Sequence, residues 1–159
     1  MKYTIKDLQK DFPTDDSCLE YIFAKKCPDS KGYHRVKGRK CWSHQSTKHQ
    51  IHPLKETIFE KSSTNLTLWF HAIFLFSTSK NGVSAKELQR QLGVTYKCAW
   101  RMAKQIRSLM EQGTDPLTGT VEVDETYVGG RRRGTAGRGA KGKTIVVGLV
   151  ERSGDVRAY

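Results

Sequence analysis

The feature that most restricts the fold is a change of hydrophobic period at Gly113-Thr114-Asp115-Pro116. Before this point apolar residues recur every three to four positions, the period of a helix with one buried face. After it they alternate, or run together for a few residues between glycines, as strands do. No single regular architecture serves both patterns, so an α+β protein of several modules is expected. For 159 residues the boundaries fall at 1–60, 61–113 and 114–159. No apolar run reaches the ~18 residues of a membrane helix, and the most apolar stretch, Leu66 to Phe76, contains His71. The N-terminal Met-Lys-Tyr-Thr-Ile-Lys-Asp has no apolar centre of the signal-peptide kind. A cytoplasmic protein is the expectation.

The helical part carries its own punctuation. Thr14 is placed to cap a helix whose first turn holds Asp15 and Asp16 and whose apolar face is Leu19, Ile22 and Phe23. Asn65 is expected to cap a second helix through Ser79, with Leu66, Trp69, Phe70, Ile73 and Phe76 at helical spacing. Ser84-Ala85-Lys86-Glu87 reads as a capping box. The helix it opens turns Ala85, Leu88 and Leu92 inward, and Gly93-Val94-Thr95 makes a tight reversal into a helix from Tyr96 to Met110. There Ala99, Ala103, Ile106 and Met110 form the expected apolar stripe. This is a helix-turn-helix pattern: a small residue lets the helices approach, leucines pack them, and glycine permits the reversal. Its second helix would present Tyr96, Lys97, Trp100, Arg101 and Lys104 to DNA. Trp100 also fits a core position, and an ordinary antiparallel helix pair is the alternative.

Charge points to the same class of partner. The formal net charge is +12, which calls for a polyanion. It is concentrated: residues 21–50 hold eight Lys/Arg against one Asp, whereas residues 1–20 hold three Lys against five acids. Six more cations, Arg131, Arg132, Arg133, Arg138, Lys141 and Lys143, crowd a stretch from 129 to 143 that also contains six glycines, a composition expected of a loop.

Residues 27–52 interrupt the helical pattern. Cys27, Cys41, His34, His44, His49 and His52 lie there among Lys, Arg, Ser and Thr with little apolar periodicity. A metal or packing against a neighbour must hold such a segment. A zinc ribbon needs two knuckles of roughly C-x₂-C form around a tetrahedral ion. The first would be Cys27-Pro28-Asp29-Ser30, in which Ser30 is no strong ligand, and the second Cys41-Trp42-Ser43-His44. Cys27, Cys41 and His44 with one of the remaining histidines would complete a set, at no recognised spacing. A degenerate ribbon that no longer holds zinc is the expectation, with zinc binding as the alternative. Cys18 and Cys98 fall on helices and are expected in the core.

In the strand part, Thr120-Val121-Glu122-Val123-Asp124-Glu125-Thr126-Tyr127-Val128 places Asp124 on one face with Glu122 and Thr126. A carboxylate beside a basic loop suits a hard cation such as Mg²⁺. A solvated polar strand face is the plain alternative. The order of parts then becomes informative. A Cys/His module, Gly82-Val83-Ser84-Ala85-Lys86-Glu87-Leu88-Gln89-Arg90-Gln91-Leu92-Gly93-Val94 and the strand ending Val128-Gly129-Gly130 resemble bacterial insertion-sequence transposases of the ISXO2-like type. Thr57-Ile58-Phe59-Glu60-Lys61-Ser62-Ser63-Thr64 adds to the likeness.

These are DDE enzymes with an N-terminal zinc ribbon, a helix-turn-helix and a ribonuclease-H-like catalytic domain. The resemblance implies that Asp124 is the first catalytic acid and a ligand of paired Mg²⁺ or Mn²⁺. It further implies that Arg131, Arg132 and Arg133 lie near the DNA backbone. The implied partner is the double-stranded DNA of transposon ends, with self-association as a second. Against the family's four ribbon cysteines, Cys27 matches the first, while Ser30, His44 and Thr47 occupy the other three positions and Cys41 falls outside. The family's further catalytic residues lie downstream of the third strand, so residues 114–159 are expected to form an incomplete ribonuclease-H-like β-meander. A truncated transposase that retains DNA binding and lacks strand transfer is therefore the leading expectation. The alternatives are a DNA-binding regulator or transposition inhibitor, or a non-functional pseudogene product.

Overall fold

The computed structural model describes residues 3–110, 116–129, 142–152, 154 and 156–159. The chain divides into two compact units, Met1–Leu109 and Met110–Tyr159. Among the described residues the architecture is α+β, with five helices and two three-stranded antiparallel sheets.

The first unit begins with α1 (Ile5–Asp11) and α2 (Asp15–Lys26). Thr4 and Thr14 cap them through closed capping boxes with Asp7 and Ser17, each of which satisfies two otherwise unpaired amides. Acids in the first turns and Lys25 and Lys26 in the last turn of α2 complement the helix dipoles. Leu8 is the buried residue of α1, and Cys18, Leu19, Ile22 and Phe23 are buried on α2.

The Cys/His segment folds as β1 (Tyr33–Arg35), β2 (Trp42–His44) and β3 (Gln50–Ile51). Arg35 pairs with Trp42 across β1–β2, and Trp42 with Ile51 across β2–β3. Packing on a neighbour is what anchors it. Trp42 is buried and lies flat on Phe23 of α2, with centroids 4.1 Å apart and planes 3° from parallel. The Arg35 guanidinium lies over the same indole, 5.0 Å from the ring centroid, and its Nη2 donates to Asp16 Oδ1 at 2.7 Å. Fully burying an aromatic side chain contributes about 1.5–3 kcal/mol, more than a sheet of two- and three-residue strands supplies by itself.

Next come α3 (Leu66–Thr78), α4 (Ala85–Leu92) and α5 (Tyr96–Ser108). α3 is apolar on nearly all sides because it serves two clusters. Leu66 joins Cys18, Leu19, Ile22, Phe23 and Trp42. Trp69, Ala72 and Phe76 join Leu88, Leu92, Ala99, Met102, Ala103 and Ile106. The Trp69 indole N–H keeps a partner in this interior, donating to Ser62 Oγ at 2.9 Å.

Three local expectations are corrected. Asn65 precedes α3 without making a side-chain cap bond. The carboxylate of Asp15 takes that role across the fold, its Oδ1 accepting from both Thr67 N and Thr67 Oγ1 at 3.1 Å. The capping box at Ser84 is only half formed: Ser84 Oγ accepts from Glu87 N at 3.1 Å, while the Glu87 carboxylate turns to Arg90 and Gln91. On α5 the inner stripe continues through Met102, fully buried, and stops short of Met110, which is 55% exposed. A helix that ends at Ser108 cannot carry position 110 on its inner face. Gly93 does adopt the left-handed conformation expected of it, at φ 65°, and ends α4.

The second unit contains β4 (Val121–Val128), β5 (Thr144–Glu151) and β6 (Val156–Ala158) in an antiparallel meander. β4 and β5 pair over their full length, from Val121 opposite Glu151 to Val128 opposite Thr144. Among the described residues of this unit only Arg157 is buried.

Candidate functional site

Two surfaces carry the sequence-predicted residues, one in each unit. In the first, the local sequence dictates which side of α5 faces outward. Thr95 Oγ1 accepts from Cys98 N at 3.3 Å and fixes the start of the helix. Ala99, Met102, Ala103 and Ile106 are then committed to the core. The opposite side must carry Tyr96, Lys97, Trp100 and Lys104, and all four are exposed. Trp100 therefore takes the outward alternative rather than the core position, at 51% exposure. Lys104 Nζ lies 5.6 Å from the Trp100 ring centroid, and Lys86 Nζ reaches across from α4 to 4.9 Å from the Tyr96 ring. Ammonium groups at such distances are attracted by the negative ring faces.

Arg101 is engaged elsewhere. Half-buried, it donates from Nη2 to the carbonyl of Glu60 at 3.3 Å and ties α5 to the segment before α3. Arg107 acts similarly, donating to the Val83 carbonyl at 2.8 Å with its guanidinium 5.4 Å from the Phe76 ring. The charge of Glu87 on α4 is committed to neighbours on its own helix. Its carboxyl is held below the ordinary range by the Gln91 hydrogen bond and then by Arg90, which keeps it ionised and paired. The outward-facing ammonium groups of Lys86, Lys97 and Lys104 thus set the sign of this face. Lys86 was missed by sequence reasoning, although its place outside the Ala85/Leu88/Leu92 stripe was readable.

In the second unit Asp124 is exposed, with Glu122 and Thr126 on its face of β4. Directly opposite on β5 stands Gly148, flanked by Val146 and Val150. The missing side chain leaves a recess of 420 Å³ above the carboxylate, lined by Glu122, Asp124, Thr126, Val146, Gly148 and Val150 among others. A Cβ added at Gly148 would meet nothing nearer than the Asp124 carbonyl at 3.7 Å. Asp124 Oδ1 accepts from the Glu125 amide at 2.8 Å. Glu122 is taken by Arg152, whose Nε lies 2.8 Å from its carboxylate. Asp124 therefore fits a divalent cation as one oxygen ligand with room beside it, and its neighbour on the same face is already paired. Arg131, Arg132 and Arg133 lie outside the described residues.

Among the described residues no group of three or more His, Cys, Asp or Glu is placed to hold a metal ion. Cys27 is half-buried at the end of α2, and Cys41 is buried. His44 occupies a knuckle-like turn: Lys48 N donates to its carbonyl at 3.1 Å and Lys48 sits at φ 57°. Its Nδ1 accepts from Thr47 N at 3.3 Å and lies 3.2 Å from Ser46 Oγ. Its Nε2 points at Gly32, where a Cβ would come within 2.8 Å. His49 pairs through Nδ1 with the Tyr33 hydroxyl at 2.9 Å. The His44 and His49 imidazoles are thus both engaged in hydrogen bonds and in ring contacts with Tyr33.

Residues 116–159 match the ISXO2-like transposase domain. The chain is also 31% identical over 72 residues to an uncharacterized protein in the transposable element ISH50 of Halobacterium salinarum. That alignment covers 45% of this chain and 24% of the relative, so the chain spans about a quarter of the length of the curated relative it matches. No solved structure matches it.

Proposed function

From the likeness of residues 116–159 to the ISXO2-like transposase domain and of the chain to a protein of a transposable element, we propose that the chain is a member of the insertion-sequence transposase family and that its first unit binds double-stranded DNA through α5. The observation that carries this reading is the composition of one helix face: Tyr96, Lys97, Trp100 and Lys104 exposed together, with Lys86 of α4 beside them. A recognition helix enters the major groove while its partner helix crosses the backbone. Lys86, Lys97 and Lys104 would meet phosphates, and each phosphate neutralised releases counterions, which makes affinity fall with salt. The Gly93 turn and the Arg101 and Arg107 tethers hold the face at a fixed angle. The DNA expected to fit is the transposon end, consistent with the family.

In the second unit we assign to Asp124 the role of first metal-binding carboxylate, for Mg²⁺ or Mn²⁺. Such ions, when bound, activate an oxygen nucleophile and stabilise charge on phosphorus during in-line displacement. Asp124 supplies one oxygen ligand at the floor of an open recess, and the absent side chain at Gly148 leaves space for a phosphate beside it.

Fluorescence anisotropy of the chain against end-sequence duplexes at two salt concentrations tests the first assignment. Tight, salt-sensitive binding weakened at least tenfold by Lys97→Glu with Lys104→Glu supports it. Unaltered affinity in that double variant removes α5 from the interface. Line broadening of β4 resonances by Mn²⁺, lost in Asp124→Asn, tests the second.

A further inference from the structure

The outer face of α5 holds two large aromatic rings, Tyr96 and Trp100. Tyr96 is 45% and Trp100 51% exposed, while Ala99, Met102 and Ala103 on the same helix are completely buried. The rings stand four residues apart, one helical turn, or about 6 Å along the axis. Each already has an ammonium group at one face, Lys86 at Tyr96 and Lys104 at Trp100. The cations and the rings divide the work of meeting DNA. Ammonium groups find phosphates, which carry no sequence information, and the rings are left against the floor of the groove.

What an aromatic ring prefers on that floor follows from the base edges. In the major groove adenine, guanine and cytosine present hydrogen-bonding groups, and thymine adds the C5-methyl. Covering the polar edges with ring carbon strips water from them without replacing its hydrogen bonds, which is unfavourable. Covering a methyl removes apolar surface from water on both sides, which is favourable. We infer that Tyr96 and Trp100 read thymine methyl groups in the major groove, about two base steps apart at ~3.4 Å per step. The DNA partner of this face is therefore duplex bearing thymines at the two facing positions. This inference rests on the proposed DNA-binding role of α5 and adds what that helix selects.

The experiment uses the whole 159-residue chain. Duplexes are selected from a randomised pool, and thymines shared by the selected sequences are replaced singly by deoxyuridine, which deletes the methyl and preserves base pairing. Affinities are compared with those of Trp100→Ala and Tyr96→Ala, both exposed positions whose folding is checked by circular dichroism. The expected result is a loss of about fourfold per methyl, the worth of one buried methyl group. Each variant should bind the thymine duplex more weakly and become indifferent to one of the two replacements. Duplex binding by the native chain that ignores every methyl overturns the inference and leaves the DNA-binding reading standing. Variants that keep full discrimination, or tighter binding to single strands than to duplex, overturn it as well. Absence of any salt-sensitive duplex binding by the native chain overturns the DNA-binding reading itself, and with it the inference.

Discussion

The two units make a sharp contrast in how regular structure relates to burial. In the first, Cys18, Trp69, Ala72, Leu88, Ala99, Met102 and Ala103 are completely buried, and helices of ordinary length pack around α3. In the second, an eight-residue ladder joins β4 to β5 without a missed pair, yet Val123, Val128 and Ile145 are each more than half exposed. Backbone pairing in a sheet satisfies its own donors and acceptors and proceeds without a covered face. Apolar exposure therefore means different things in the two places. On β4 and β5 it is general and singles out no residue. On α5 it breaks the pattern of a helix that buries its other large groups, and it coincides with lysines.

That contrast can be broken experimentally, and the largest effect belongs to the core. Trp69→Ala should destabilise the first unit by about 3–5 kcal/mol in chemical denaturation, whereas Val123→Ala should stay within about 0.5 kcal/mol. Comparable losses at the two sites would show that the sheet is as well covered as the helices. The next effect concerns how the first unit joins its parts. Asp15→Ala should cost about 1–2 kcal/mol and Asn65→Ala a few tenths, because Asp15 rather than Asn65 caps α3. The reverse order would return the cap to the adjacent residue. Gly93→Ala should cost about 1 kcal/mol, since any side chain is strained at a left-handed φ of 65°; an unchanged denaturation midpoint would mean the turn relaxes.

The smallest effect is a dependence on pH. Burial, with a contribution from the Asp15 charge, pushes the Cys18 thiol from 9.0 up to about 11. The unfolded thiol ionises first, so the folded state keeps its proton longer. The associated stability is complete below pH 9, falls as the pH rises through the interval to about 11, and is then lost. Denaturation midpoints measured across that interval should decline less steeply in Cys18→Ala. Equal slopes in the two proteins would contradict the burial of the thiol as the cause.

Much of the fold was legible because its signals act over three or four residues. Thr14, Gly93 and the apolar repeats of α3, α4 and α5 place those helices to within a residue or two, and alternation does the same for β4. α1 escaped because seven residues with Leu8 as the buried member carry almost no periodicity. The strands of the Cys/His segment escaped because two or three residues hold too few alternations to count. At the candidate site, the outer position of Tyr96, Lys97, Trp100 and Lys104 was the complement of a readable inner stripe. Arg101 shared that reading, but its partner is a carbonyl 41 positions earlier in the chain, and no local pattern reports such a distance.

The sequence by itself determined, to within a residue or two, the places of α3, α4, α5 and β4, the inward faces of those helices, and a likeness to insertion-sequence transposases. Caps and periodicities express backbone geometry within a single turn or pleat, and composition alone carries them. Only the tertiary structure decided that Asp15 caps α3 from 52 residues away and that Trp42 on Phe23 holds the Cys/His segment. Each of these outcomes depends on which elements pack together. Packing is settled by shape and burial over the whole unit, and residues tens of positions apart have no shared local signal through which to announce that they will meet.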